Sequence, residues 1–276
     1  MIGIFDSGLG GLSVLRAIRA QMPAANVSYV ADTAHIPYGP RPTSEIRDFS
    51  QAITQFLMEQ GARVIVIACN TASAAALQYL RATFPAMPFV GMEPAVKPAA
   101  EQTQTRVVGV LATPATLQGE LFASVVERFA QNVTVLSQVC PGLVERIEAG
   151  QTNTPETEAA LRGWVEPLLA QHIDTLVLGC THYPFVRPLL EKICGPQVRI
   201  IDPAPAIARQ TQRLFEMTNV TDGQGQNIYF TSGEEQLLQA RLQQLALPLG
   251  KINIARWHTA GGRLCLARDD SLASGA

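Results

Sequence analysis

Four strand segments near the start of the chain, three of them marked by short apolar runs and one by an acidic residue and proline at its end, recur in the same order further along. Ile2-Gly3-Ile4-Phe5 is matched by Val108-Gly109-Val110-Leu111, and Val27-Ser28-Tyr29-Val30 by Val133-Thr134-Val135-Leu136, both 106 positions later. Ile67-Ala68-Cys69 is matched by Leu178-Gly179-Cys180 at 111, and Glu93-Pro94 by Asp202-Pro203 at 109. Parallel strands of unrelated proteins look much alike, so the strands alone do not establish a repeat; the matched cysteines add the specific signal. Val64-Ile65-Val66-Ile67 and Phe89-Val90-Gly91-Met92 are further continuous apolar runs separated by helix-length segments. Such runs belong to parallel strands buried on both faces. The predicted fold class is α/β: two similar, duplicated domains with mostly parallel sheets and a site in the cleft between them.

Local signals fill in the connections. Ile46, Phe49, Ile53, Phe56 and Leu57 recur at helical spacing, with Gly61 where a C-cap belongs. Thr154 followed by Pro155 reads as an N-cap and first helical position, and Pro167 predicts a kink or an early end to that helix. Beyond Asp202 a helix over 206–217 leads to Asn227-Ile228-Tyr229-Phe230 and Lys251-Ile252-Asn253-Ile254, read as extra strands of the first unit. Residues 268–276 carry little apolar material and are read as frayed.

Charge and cysteine usage exclude several classes. Lys and Arg number 21 against 23 Asp and Glu, a net of −2, so no basic excess exists to neutralise a nucleic-acid backbone. No apolar run approaches the roughly 20 residues of a membrane helix. Met1-Ile2-Gly3-Ile4-Phe5-Asp6 lacks a basic leader and signal core, so the expected location is cytoplasmic. Five cysteines without paired spacing read as reduced thiols rather than a disulfide framework.

Ligands of parallel α/β sheets bind beyond the carboxyl ends of the strands. There the chain places Asp6-Ser7-Gly8, Asp32-Thr33, Cys69-Asn70-Thr71 and Glu93-Pro94, then Ala112-Thr113-Pro114, Cys140-Pro141, Cys180-Thr181-His182 and Asp202-Pro203. Cys69 and Cys180 each end a strand and precede a predicted helix start, where backbone N–H groups and the helix dipole favour a thiolate. His182 follows Cys180 by two positions, and Asp6 ends the strand expected beside that of Cys69. A lone cysteine in such a place is usually a small buried hydrophobe. That reading is kept for Cys140, Cys194 and Cys265; the matched pair points instead to proton transfer. Facing each other across a pseudo-two-fold axis, the two thiols would reach one carbon from opposite sides, alternating as general base and general acid.

Gly8-Leu9-Gly10-Gly11 with Asp32 approaches a dinucleotide fingerprint. However, Ser13 stands where the third glycine is needed, and Asp6 would repel a pyrophosphate. The loop is read as letting the backbone approach a small anionic ligand. Cys69, Cys180, His182 and Asp6 are metal-ligand types, but no C-x(2–4)-C pair exists and Cys-x-His is poor spacing, so no metal is predicted. No lysine occupies a Schiff-base setting, so pyridoxal phosphate is not required and no cofactor is predicted. His35, His172 and His258 stand alone and read as packing or surface residues.

Four segments carry a family resemblance: Ile4-Phe5-Asp6-Ser7-Gly8-Leu9-Gly10-Gly11-Leu12, Asp32-Thr33 through Pro37-Tyr38-Gly39, Ala68-Cys69-Asn70-Thr71-Ala72-Ser73, and Gly179-Cys180-Thr181-His182-Tyr183-Pro184. In them the chain resembles the glutamate racemases, cofactor-independent amino-acid racemases of bacterial cell-wall synthesis. The likeness runs over nearly the whole chain. It implies interconversion of L- and D-glutamate, with Cys69 acting on the D-enantiomer and Cys180 on the L. Asp6, Glu148 and His182 would assist as acids and bases. Asp6, Ser7, Tyr38, Gly39, Asn70, Thr71, Thr181 and His182 would line the substrate pocket, with Thr113 or Thr116 adding a hydroxyl. None of these motifs contains Lys or Arg, so hydroxyls, amides and helix N-termini would hold the α-carboxylate. The resemblance also implies a homodimer, and a first domain of 1–93 plus 207–276 against a second of 94–206. Two departures stand out: Pro141-Gly142-Leu143-Val144-Glu145-Arg146-Ile147-Glu148 is more polar than the family's segment, and Pro40-Arg41-Pro42 stiffens the pocket rim. Two competing readings are a racemase for aspartate or another small acid, and a non-catalytic binder of small anions. The paired thiols argue against the binder.

Overall fold

The computed structural model describes residues 1–218, 223–258 and 262–267; the fraying expected for 268–276 lies outside them. The first half runs β1 (Ile2–Asp6), α1 (Leu12–Gln21), β2 (Val27–Ala31), α2 (Thr43–Glu59), β3 (Val64–Ile67), α3 (Asn70–Thr83) and β4 (Phe89–Gly91), then α4 (Val96–Gln102). The second follows with β5 (Val107–Ala112), α5 (Pro114–Gln118), α6 (Glu120–Phe129), β6 (Thr134–Val139), α7 (Leu143–Glu148), α8 (Pro155–Leu169), β7 (Thr175–Gly179), α9 (Arg187–Cys194) and β8 (Arg199–Ile201). Last come α10 (Ala204–Glu216), β9 (Asn227–Thr231), α11 (Glu235–Gln244), β10 (Lys251–His258) and β11 (Arg263–Leu266).

The duplication is visible in the strand order. The first sheet reads β11-β10-β9-β2-β1-β3-β4 and the second β6-β5-β7-β8. Strip the first three strands from the first sheet and both have the order second-first-third-fourth, all parallel. β9 adds in parallel to the free edge of β2, and β10 to β9, as the sequence leads one to expect. β11 was not anticipated; it closes that edge antiparallel to β10. Its sequence, Arg263-Leu264-Cys265-Leu266, is too short a run to announce itself, and only Leu264 of the four is buried.

Alternate residues of each strand feed opposite faces. Ile2 and Ile4 of β1 and Val64 and Val66 of β3 enter one core with Leu15, Ile207 and Leu238 from α1, α10 and α11. Phe5, Ile65 and Ile67 enter the other, with Ile53, Phe56 and Leu57 of α2 and Leu77 of α3. The second sheet is likewise covered on both faces, by α7, α8 and α9 on one side and α4 and α6 on the other. This explains why the strands read as unbroken apolar runs. Gly61 has φ +88° directly after α2, the left-handed conformation that ends a helix. α8 neither stops nor shortens before Pro167 but runs on to Leu169. The proline lies in the last turn, so it forfeits one bond, to the Gly163 carbonyl, with only two helical residues left to follow it.

Candidate active site

β3 and β7 occupy the same place in their two sheets, and each delivers a cysteine. Cys69 is the N-cap of α3, and its Sγ accepts the Ala72 N–H at 3.4 Å. Cys180 follows β7 but precedes only a 3-10 turn, Tyr183–Val186; α9 begins at Arg187. The expected α-helix start therefore exists at Cys69 alone. Both thiols are almost completely buried, at 5% and 7% exposed. They open on one cavity of about 300 Å³, the small end of the range for ligand pockets.

Residues from both sheets wall this cavity. Ser7, Tyr38, Gly39, Cys69, Asn70 and Thr71 come from the first, and Thr113, Cys180, Thr181 and His182 from the second. Among the described residues no Lys or Arg lines it. Asn70 is 2% exposed, and both its amide nitrogen and its oxygen lack a protein partner. A buried, unpaired amide facing a cavity is costly unless a ligand completes it. Thr71 and Thr113 join hydroxyls across the cleft at 2.9 Å. Thr116 bonds Thr113 at 2.9 Å but stands behind the wall, so its hydroxyl reaches the cavity only through Thr113.

Asp6 and Glu148 also stand behind the wall. Asp6 is fully buried at the end of β1, beside β3. Its Oδ2 accepts the N–H groups of Gly8 at 3.2 Å and Gly11 at 2.9 Å, and the Thr181 hydroxyl lies 3.5 Å from Oδ1. Burial pushes its carboxyl up, opposed by the nearby His182 and by those N–H groups. Glu148, on the last turn of α7, accepts the Leu9 N–H at 2.8 Å and pairs with His182 Nε2 at 2.5 Å. Glu148 thus reaches His182 from the polar 141–148 stretch. His182 Nδ1 lies 3.8 Å from Cys180 Sγ.

The glycine loop is thus not a ligand cradle. The N–H groups of Gly8, Leu9 and Gly11 are taken by the protein's own carboxylates, Asp6 and Glu148. A methyl group at Gly10 would lie 2.4 Å from His182 Nδ1, and one at Gly8 2.5 Å from Glu148 Oε1. The glycines bring the backbone against catalytic candidates rather than against a bound anion.

The charge balance around the two thiols differs. For Cys69, burial and the Asp6 carboxylate raise the thiol well above its ordinary range, outweighing Ala72 N–H and the Ser7 hydroxyl 3.6 Å away. The thiolate expected from the helix start does not prevail at Cys69. His182 is the opposite case: burial opposes its charge, but bonds to Cys180 and Glu148 hold the imidazolium well above its usual range. Burial likewise opposes the Glu148 charge, yet His182, Leu9 N–H and Arg241 together keep its carboxyl low.

Two residues carry more than the sequence indicated. Cys140, set aside as a core thiol, lines the cavity beside Cys180 and is pushed up to about 12 by burial and that neighbour. Its position at the end of β6 was the available signal. Asp32 accepts Tyr38 Oη at 2.7 Å, Trp257 Nε1 at 2.7 Å, Ser232 Oγ at 2.8 Å and His35 Nδ1 at 2.9 Å. It fixes Tyr38 in the cavity wall and ties the rim to β10. His35 is a packing residue, stacked on Phe49 at 4.0 Å, and His172 and His258 are exposed. Among the described residues no three His, Cys, Asp or Glu side chains group to hold a metal, and no helix is long and apolar enough to cross a membrane.

Known proteins share this architecture. The family model Asp/Glu/Hydantoin racemase matches residues 2–211. The glutamate racemase of Ectopseudomonas mendocina is 51% identical over 247 residues, 88% of this chain and 94% of that one. The glutamate racemase of Roseiflexus sp. is 48% identical over 258 residues, 92% and 95% of the two chains. Among solved structures, Escherichia coli glutamate racemase in complex with L-glutamate and the activator UDP-MurNAc-Ala superposes with a TM-score of 0.82 at 32% identity, covering 92% of this chain and 97% of that one. Francisella tularensis glutamate racemase with D-glutamate gives 0.79 at 29% identity, covering 92% and 96%. With a family model spanning most of its length and relatives this close, the chain belongs to the Asp/Glu/Hydantoin racemase family and is an isomerase.

Proposed function

We propose that this protein interconverts L- and D-glutamate by proton transfer between two cysteines, without a cofactor. The observation that carries the reading is the pair of thiols at equivalent strand ends, opening on one cavity, each backed by its own acid-base group. Asp6 stands behind Cys69, and the His182–Glu148 pair behind Cys180. From L-glutamate, the Cys180 thiolate removes the Cα proton and the Cys69 thiol delivers its own to the opposite face. The carbon is inverted, Cys180 ends protonated and Cys69 ends as thiolate. The raised Cys69 thiol suits the donor role in this direction. His182 and Asp6 then relay protons to restore the starting state, and D-glutamate runs the cycle backwards.

The α-proton is weakly acidic, so orientation and electrostatic preorganisation in a dry site must supply most of the rate. Asn70, Ser7, Thr71, Thr113 and Thr181 supply polar groups for the substrate carboxylates, and the burial of all but Thr113 keeps competing water out. Further parts of the reading are that the enzyme acts as a homodimer in the cytoplasm and supplies D-glutamate for peptidoglycan. Its working domains are 1–93 with 207–276 and 94–206, a boundary that falls inside α10, whose residues from Ile207 onward pack in the first domain's core with α1.

The test incubates the protein with L-glutamate or L-aspartate without cofactor and follows optical rotation. Loss of rotation with glutamate alone supports the reading. Aspartate turnover transfers it to another small acid, and no turnover with either leaves a binder.

A further inference from the structure

Arg241 belongs to α11, in the C-terminal segment that packs on the first sheet, yet its head group is buried against the second. It is 6% exposed. Nη2 donates to the Ile147 carbonyl at 2.7 Å, one residue before Glu148. The guanidinium carbon lies 5.1 Å from the centre of the Phe185 ring, three residues after His182. Nη1 is held by Gln244 Oε1 at 2.7 Å on the same helix. One side chain therefore touches both segments that carry the Glu148–His182 pair, and it also caps the carbonyl end of α7, where a cation is favoured. A planar guanidinium suits this double task, with in-plane donors and a face for stacking.

We propose that Arg241 is a positioning residue that sets the Glu148–His182 pair against Cys180, so that the C-terminal segment of the chain tunes one of the two thiols. This rests on the reading of Cys180 as a proton-transfer group. The Glu148–His182 pair is faced by Cys180, by Asp6, by the Leu9 N–H and by Arg241. Of these, Arg241 alone comes from beyond the second unit's last strand, β8. Its removal frees the α7 end and the 183–186 turn together, while α3, which carries Cys69, is untouched. The effect is therefore selective between thiols, which a general loss of packing is not.

The test compares the wild type, Arg241→Met, Arg241→Lys and, as a surface control, Arg162→Gln. Each full-length protein is treated with iodoacetamide, and alkylation of Cys69 and Cys180 is followed separately by peptide mass spectrometry, alongside racemisation kinetics and melting temperature. Arg241→Met should lower kcat by about ten- to a hundredfold, the scale of a small misplacement in an acid-base pair, with KM nearly unchanged. It should change the Cys180 alkylation rate several-fold while leaving that of Cys69 within twofold. Arg241→Lys should recover part of kcat, keeping the charge without the fork. If Met prevents folding, the same thiol selectivity is read in the Lys variant. Equal changes at both thiols, or native kcat and alkylation in Arg241→Met, overturn the proposal. A wild-type protein that does not racemise glutamate, or a Cys180→Ala variant that still does, instead overturns the reading on which it rests.

Discussion

Gly10 and Gly39 both border the site, but only one lacks room for a methyl group. A Cβ at Gly10 meets the His182 ring at 2.4 Å, whereas one at Gly39 meets Thr113 Cβ at an ordinary 3.7 Å. Gly10→Ala should therefore cost at least about tenfold in kcat by displacing His182, and Gly39→Ala much less; steady-state rates at matched melting temperature check this. Cys69→Ala and Cys180→Ala should each nearly abolish racemisation in both directions, since every turnover uses both. In deuterated water, product should carry deuterium at Cα from the first turnovers while unreacted substrate stays largely protiated, as proton NMR would show. Early label equal in both pools would put the chemistry on a single base. His182 also bears on stability. Its raised folded pKa gives stability fully present below about pH 6.5 and lost as pH climbs through the folded value. His182→Asn should remove that alkaline loss and unfold about 3 kcal/mol more easily at neutrality, because Glu148 stays buried without its partner; melts across pH measure both. At this scale the two cysteines were legible because each ends a recognisable strand. Arg241 and Cys140 were not, because their roles depend on contacts made far along the chain or across the cavity, which no local spacing records.

Among the elements, β5 and β7 are tied at their starts by Asp174. Its carboxylate accepts the Thr103 hydroxyl at 2.6 Å and the N–H groups of Gln104 at 2.5 Å and Thr105 at 2.9 Å. Burial opposes the charge, but these donors draw the acid down to about 2. The stability it gives is present above about pH 4 and lost as pH falls through about 2. Asp174→Ala should cost about 1–2 kcal/mol in denaturant unfolding at neutral pH, shrinking towards nothing in acid. Strand positions were readable because both faces of each sheet are covered, which leaves an unbroken apolar run. The glycine loop was misread for a complementary reason. Sequence shows that backbone N–H groups are available but not which carboxylate takes them, and here Asp6 and Glu148 arrive from within the protein. β11 escaped because one buried residue in a short run gives no periodicity.

On the scale of the molecule, the cavity is where the two sheets meet, so a ligand there bridges both. Glutamate at about a hundred times its dissociation constant should stabilise the native state by about 2.7 kcal/mol, seen as one melting transition moving upward. It should also slow inactivation by iodoacetamide, since both thiols open on that space. A melt unmoved by saturating glutamate would count against this location of the site.

The late pairing of β9 with β2 has a consequence for how the protein is made. Val27 lies opposite Asn227, so the neighbour of an early strand is supplied two hundred positions later. As the chain leaves the ribosome, β5 to β8 are complete by Ile201, while the β2 edge still waits for residues 227–231. An apolar strand edge left open through that interval is a template for misassociation, and contacts of such long separation close slowly. Nascent chains stalled before residue 227 should therefore present a protease-resistant second sheet beside an aggregation-prone first one.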